Sequence, residues 1–312
     1  MCPQNITPLL PQAAYTFPSC KSASHFTLEG YPVSDLVTIE VNHHVADVRL
    51  NRPDKMNAVN PAMWKAIYEA GASLMENREV RAVVLSGNGR GFCAGLDMAS
   101  MAAIGQSAEK PSESDPATAE KKVDSGLLTT SEDSPANFVQ RVCWIWREIP
   151  IPVIAAVHGV AYGGGLQLAL GADMRYVTPD VRMSVMEIKW GLIPDMSGTQ
   201  TLRHLVRDDV ARELTYTGKI VTGEEARELG LATRVTDDPR AAALETAQEI
   251  ASKSPSAIRA GKELLNQSTL ITVEEGMKLE AGLQTRLIGG KNQIEAVTAN
   301  MQKRAPDFTD GE

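Results

Sequence analysis

The stretch IPVIAAVHGVAYGGGLQLALGAD, residues 151–173, decides the fold. Within it Val153-Ile154-Ala155-Ala156-Val157 is an unbroken apolar run of strand length, which reads as a buried strand. His158-Gly159 interrupts the run. Tyr162-Gly163-Gly164-Gly165 then opens a segment of helical composition, Leu166 to Gly171. Three adjacent glycines at a strand-to-helix junction let the chain turn sharply and leave main-chain N–H groups open to a ligand. The start of a helix adds unpaired N–H groups and the positive end of the backbone dipole. Such a junction is equipped to hold an oxyanion. Taken alone it reads equally as a tight turn with no ligand.

A second stretch repeats the pattern. Arg81 to Gly87 reads as a strand, and Asn88-Gly89-Arg90-Gly91-Phe92-Cys93-Ala94-Gly95-Leu96-Asp97-Met98 follows as a small-residue turn running into a helix-like segment. Two such turns can supply two N–H donors to one oxygen. With them stand Leu50-Asn51-Arg52-Pro53, Met56-Asn57-Ala58, Glu187-Ile188, Gly191-Leu192-Ile193-Pro194, Gly198-Thr199-Gln200, and Thr222-Gly223-Glu224-Glu225-Ala226 with Leu229-Gly230-Leu231-Ala232. In this combination and order the chain resembles the crotonase superfamily, the enoyl-CoA hydratases and isomerases. Each motif is weak singly and specific together. The resemblance runs from about Leu36 to about Phe308, most of the chain.

The resemblance implies an α/β fold, a crotonase-like ββα spiral core followed by a C-terminal helical trimerisation region. Residues 1–32, rich in Pro, Ser and Thr, read as an N-terminal extension; residues 33–238 read as the core, with a polar insertion at about 103–136; residues 239–312 read as the helical region. The insertion reads either as a lid over the acyl site or as a tolerated surface loop. Alternation predicts strands over Val37–Val41 and Val45–Leu50, joined at His43-His44. The paired histidines read as turn residues rather than metal ligands. Asn60-Pro61 predicts a helix to about Glu76 with Asn60 as N-cap, and a further helix is expected over Asn137–Glu148.

The shared chemistry of the resembled family is stabilisation of a thioester enolate. Two N–H groups aimed at the carbonyl oxygen bind the enolate more tightly than the ground state. Carried over by motif, these donors are the backbone N–H groups of Leu96 and Gly164. Hydratases of the family move protons with two glutamates. The first position, three residues after the oxyanion glycine, is Gln167 here, which cannot accept and return a proton as a carboxylate does. The second is Glu187. After Leu192-Ile193-Pro194, where most hydratases carry glycine, this chain has Asp195, eight residues beyond Glu187. The 3,5-to-2,4-dienoyl-CoA isomerases carry an acid there and another at the Glu187 position. Two carboxyl groups flanking an acyl chain can remove a proton at one carbon and return one at another. Without the resemblance, Glu187 reads as a surface acid and Asp195 as a turn residue.

The resemblance therefore implies Glu187 and Asp195 as the proton-transferring pair. It implies Arg52, Met56, Ala58, Phe92, Ala94, Asp97, Met98, Gly163 and Gln167 as residues lining the acyl-CoA site. On their own, Arg52 and the nearby Lys55 also read as solvated charge. The reading is an enoyl- or dienoyl-CoA isomerase of the fatty-acid β-oxidation type. The alternatives are an enoyl-CoA hydratase and, from another class, a non-catalytic acyl-CoA-binding protein, against which two retained acids argue. No separate cofactor and no metal are expected, since coenzyme A is part of the substrate.

Composition fits that reading. The 312 residues are 43% hydrophobic and 22% charged, enough to bury a full core, and the net charge of -8 disfavours non-specific binding to nucleic acid or anionic lipid. No apolar run approaches the ~20 residues of a membrane helix. Cys2, Cys20, Cys93 and Cys143 lack metal-ligand spacing and read as reduced intracellular thiols. The expected location is intracellular and cytoplasmic, or mitochondrial if the N-terminal extension is a transit peptide. The tail, with Leu264, Leu265, Met277 and Leu283, is expected to build a homo-trimer or hexamer. An aromatic residue that the family often carries near the tail's end is replaced by Asn300.

Overall fold

The computed structural model describes residues 35–97, 99–100, 130–131 and 134–311. The expectations for the N-terminal extension, for Met98 and for most of the insertion lie outside the described residues.

In chain order the first half comprises strands β1 (Val37–Asn42) and β2 (Val45–Leu50), helix α1 (Pro61–Glu76) and strand β3 (Ala82–Gly87). Short strands β4 (Thr130–Ser131) and β5 (Ser134–Asn137) precede helix α2 (Phe138–Glu148). Then follow β6 (Val153–Val157), β7 (Val160–Tyr162), α3 (Gly164–Gly171), β8 (Met174–Val177) and β9 (Arg182–Ser184). Helices α4 (Gly198–Leu205), α5 (Asp208–Thr217) and α6 (Gly223–Leu229) lead to β10 (Arg234–Val235). Four helices close the chain: α7 (Pro239–Ala251), α8 (Pro255–Ser268), α9 (Val273–Leu287) and α10 (Lys291–Gln302).

The main sheet has the order β1-β2-β3-β6-β8-β10. The β1–β2 pair is antiparallel and every later pairing is parallel. His43 and His44 make the hairpin turn, both with positive φ (48° and 65°), the twist that two-residue hairpin turns require. Helix α1 starts as its sequence dictates: Pro61 occupies the first turn and Asn60 accepts the Met63 N–H at 2.9 Å. Asn137 and Gln140 form a reciprocal capping box at the head of α2.

The spiral is visible in the pairings. Strands β6 and β8 lie in the main sheet, whereas β7 and β9, which follow them, pair with each other in a second small parallel sheet. Cys93, after β3, bridges Ala161 of β7 and so extends that second layer. Each turn of chain thus lays one strand in the large sheet and one in the small sheet. Three-residue strands have no readable period, which is why β7 and β9 escape a sequence reading.

Central strands are apolar on both faces because both faces are covered. Val83, Leu85, Val153, Ala155 and Val157 belong to the larger core with α1 and α2. Val84, Ile154, Ala156 and Tyr176 face the other way, against Ala243, Ala247 and Ala251 of α7. Spaced four apart, these alanines form one stripe that lets α7 lie close on the sheet. Helix α7 is therefore part of the core packing. It lies within residues 239–312, the stretch read from the sequence as the C-terminal helical region.

Helices α8 to α10 are held from inside. The Lys262 ammonium, 5% exposed, donates to Trp146 O (3.1 Å), Ile151 O (2.8 Å) and Asp173 Oδ2 (2.9 Å). Arg81 pairs with Asp310 and donates to Phe308 O, pinning the final residues to the start of β3. Among the described residues no helix is long and apolar enough to cross a membrane.

Candidate active site

The two small-residue turns lie together. Cys93 N donates to Val160 O (3.0 Å) and Tyr162 N donates to Cys93 O (3.1 Å), so the segment after β3 is laced to the segment before α3. The approach is close enough to demand glycine. A β-carbon on Gly95, at φ +85°, would stand 2.5 Å from Tyr162 O and 3.8 Å from Gly164 N. Val59 N donates to Gly95 O and Asp97 N to Val59 O, on either side of Leu96. Among the described residues the N–H groups of Leu96 and Gly164 donate to nothing. That of Gly164 is one of the free donors at the start of α3, where the helix dipole adds positive potential. The arrangement brings together the two donors read from the sequence.

Beside them sits the acid. Glu187 opens a 3-10 turn, Glu187–Trp190, and is buried. Its Oε1 accepts Gln167 Nε2 at 2.6 Å, and its Oε2 is buried and, among the described residues, has no hydrogen-bond partner. Burial pushes the Glu187 carboxyl above the usual carboxylate range, the Gln167 hydrogen bond pulls it back in part, and the charge of Asp195 pushes it up further. Asp195 lies in the loop after the 3-10 turn and is exposed in the single chain. It is nonetheless hemmed in by enough protein for desolvation to raise its carboxyl as well. Glu187 is thus an interior group rather than the surface acid that its local sequence suggests, whereas Asp195 is solvent-exposed.

Gln167, on α3, is 3% exposed and touches three segments. Its Oε1 accepts the N–H of Met196 (2.8 Å) and of Gly198 (2.9 Å), while its amide nitrogen faces Glu187. Gly163, at φ +51°, turns the chain into α3 and gives its own N–H to Ser184 O.

Two residues read as lining the substrate have other occupations. Phe92 has no exposed surface and is a core side chain; its place in the motif reflects packing beneath the turn. Arg52 is tied down: it pairs with Asp97 at 2.8 Å and donates to Ala58 O at 2.8 Å. That hydrogen bond to Arg52 holds the Asp97 carboxyl below its ordinary range. Met56 adopts the left-handed conformation, and its carbonyl accepts the Ala94 N–H at 2.9 Å. Ala58 is buried and Ala94 half-buried beside the same turn.

Two supports carried no assigned role in the sequence. Asn57, fully buried, donates to Asn88 O and Gly91 O (2.9 Å each) and accepts the Arg52 N–H, pinning the loop before the first oxyanion turn. The two carbonyls it donates to lie more than thirty residues away, so only the Met56-Asn57-Ala58 motif hinted at it. Cys143 of α2 is buried near Gly164 O, close enough to Glu187 and Asp195 to feel their charge. Burial pushes the Cys93 thiol to about 12 and that of Cys143 well above its ordinary value, so both are inert free thiols. Among the described residues no cluster of His, Cys, Asp or Glu is arranged to hold a metal.

Comparison with known proteins places these features. The family model described as enoyl-CoA hydratase/isomerase matches residues 45–247. The chain is similar to the mitochondrial enoyl-CoA hydratase domain-containing protein 2 of Mus musculus, at 32% identity over 92% of this chain and 91% of the relative. It is also similar to the mitochondrial Delta(3,5)-Delta(2,4)-dienoyl-CoA isomerase of Mus musculus, at 33% identity over 84% of this chain and 77% of the relative. Among solved structures, the enoyl-CoA hydratase of Bacillus anthracis superposes with a TM-score of 0.76 at 28% identity, covering 89% of this chain and all (100%) of the other.

Proposed function

From the premise that this chain belongs to the enoyl-CoA hydratase/isomerase family, we propose that it shifts double bonds in acyl-CoA thioesters as a 3,5-to-2,4-dienoyl-CoA isomerase. One observation carries the reading: the acid retained at the heart of the site, Glu187, faces an amide at Gln167 rather than a second carboxylate, while Asp195 supplies another acid nearby. Because an amide cannot accept and return a proton, Gln167 leaves hydration by this site to Glu187 alone.

In the proposed reaction the thioester oxygen is held by the Leu96 and Gly164 N–H groups. Glu187 removes a proton from the carbon next to the carbonyl. The electron pair left behind delocalises into the carbonyl as an enolate and through the conjugated double bonds. A proton from Asp195 then reaches the far end of the diene, so one proton leaves, one returns, and both double bonds move by one position. Removing one oxyanion donor from such a site raises the barrier by about 3 kcal/mol. The raised carboxyls suit the task, since a base and an acid working near neutral pH need pKa values closer to 7 than an ordinary carboxylate has.

The similarity to hydratase-domain proteins favours hydration as the second reading. Purified protein offered a 3,5-dienoyl-CoA and a 2-enoyl-CoA separates the two. Gain of the conjugated 2,4-diene should outpace loss of the enoyl absorbance; the reverse ratio would assign the hydratase.

A further inference from the structure

We infer that Gln167 is the positioning residue of this site, a single amide that fastens the two acid-bearing segments to each other and leaves Glu187 with one oxygen, Oε2, free to exchange a proton. The inference rests on the proposed proton transfer by Glu187 and adds to it the group that sets its geometry and protonation.

The hydrogen bonds allow one orientation of the amide. Backbone N–H groups only donate, so the two that reach Gln167 from Met196 and Gly198 must meet the carbonyl oxygen, at 2.8 and 2.9 Å. The NH₂ group is then directed to Glu187 Oε1, at 2.6 Å. One end of the side chain thus holds the loop immediately after Asp195, and the other holds Glu187. Gln167 itself sits on α3 three residues after Gly164, on the same side of the helix as that oxyanion donor. Donor, base and the Asp195 loop share one rigid, buried reference point.

Other side chains do not fit these demands. Glutamate could accept both backbone N–H groups, but its second oxygen would then face Glu187 Oε1 at hydrogen-bond distance. Two carboxylates so placed must share a proton and titrate as a pair. Methionine fills similar space and leaves both N–H groups and Glu187 Oε1 without partners. Glutamine keeps Oε1 occupied without adding charge, so the free valence of Glu187 lies on Oε2, which is buried and, among the described residues, unpartnered. Among the described residues the titratable groups facing Glu187 are Asp195 from the following loop and Cys143 from α2. Lys189, on the same 3-10 turn, is directed over the Trp190 ring instead.

The test is the pH dependence of kcat for isomerisation of a 3,5-dienoyl-CoA by the full chain and its Q167M, Q167E and E187Q variants. Q167M should lose roughly 10–100-fold in kcat, the scale of a misplaced catalytic group, with KM within about 3-fold of the parent. Its rising limb, which reports ionisation of Glu187, should move to higher pH because a hydrogen bond to the ionised form is gone. Q167E keeps the shape and both backbone hydrogen bonds, so it carries the test if Q167M does not fold. Its rising limb should move higher still. Folded variants whose limb stays put or moves lower, or whose whole loss is in KM, would overturn the positioning role. E187Q separates this from the reading beneath it: if E187Q still isomerises, the proposed proton transfer itself is wrong, and if E187Q is dead while Q167M and Q167E keep the parent profile, only the role of Gln167 falls.

Discussion

Glu187 lies directly against Gly163: a β-carbon on Gly163 would stand 3.3 Å from Oε1 of the carboxylate. The glycine that turns the chain into α3 therefore also makes room for the acid beside the oxyanion donors. Its backbone, at φ +51°, is one that L side chains rarely adopt. Gly163→Ala should disturb both the turn and the carboxylate, lowering kcat by about 10²-fold, the cost of roughly 1 Å of misplacement. Steady-state kinetics at saturating thioester checks this; a variant with parental kcat would mean that the contact is not tight.

Glu187→Gln should abolish isomerisation while leaving the KM or Kd for acyl-CoA largely unchanged, since the lost interaction belongs to the transition state. The same substitution should raise Tm at neutral pH. The carboxyl of Glu187 is raised in the folded protein, so the folded state holds its proton more tightly than the unfolded state does. Fold stability contributed by this group is greatest at acid pH and is lost as pH rises from the ordinary carboxylate value through the raised one. The stabilisation of the variant over its parent should therefore grow across that window. Thermal melts at pH 4 and pH 8 measure it, and a gain confined to the acid side would contradict the burial argument.

Asp195→Asn should lower dienoyl isomerisation by roughly 10²–10⁴-fold, the usual worth of a positioned acid or base. Hydration of a 2-enoyl-CoA by Glu187 alone should barely change. Parallel assays on the one variant give a ratio that is insensitive to the amount of active protein. Isomerisation that survives the substitution would return the chain to the hydratase reading.

Arg52 is expected to act as a clamp. Its pairing with Asp97 ties the loop after β2 to the first oxyanion turn across a sequence separation of 45 residues. Arg52→Ala should leave a half-buried carboxylate without its partner and cost about 1–3 kcal/mol of stability. Denaturant unfolding tests it. An unchanged midpoint, with a raised KM for CoA esters, would instead make Arg52 a phosphate contact.

An oligomer is also expected. In the single chain Leu265, Val273, Met277, Ile288 and Met301, all in the region after α7, are each at least 65% exposed. Leu283, grouped with them by sequence, is buried within its own chain, and Asn300 is exposed. Light scattering should return a multiple of 33.7 kDa, three or six; the monomer mass would refute it.

The sequence was most legible where chemistry is local. The cap at Asn60, the helix that follows Asn137, the apolar strand Val153–Val157 and the glycines at the head of α3 are read from neighbouring residues and stand where expected. The acids were legible only through motif. Nothing near Glu187 announces that it is buried, because its surroundings come from α3 and from the loop at Met196. Arg52 looked free for the same reason, its partner Asp97 being remote. Helix α7 was grouped with the tail on the resemblance, and the packing of its small alanines on the sheet was not legible from their local sequence.

The ammonium of Lys262 caps two carbonyls at the joint between α2 and β6 and neutralises Asp173, all from a helix that looks like an appendage. Truncation after Ala251 would therefore not liberate a minimal catalytic fragment. It would strip the Lys262 ammonium from Asp173 Oδ2, which also receives the Val153 N–H at 2.7 Å, and uncover the end of the strand that feeds the oxyanion turn. The helices that face outward are grafted onto the catalytic half by a root, and the graft cannot be cut without wounding the stock.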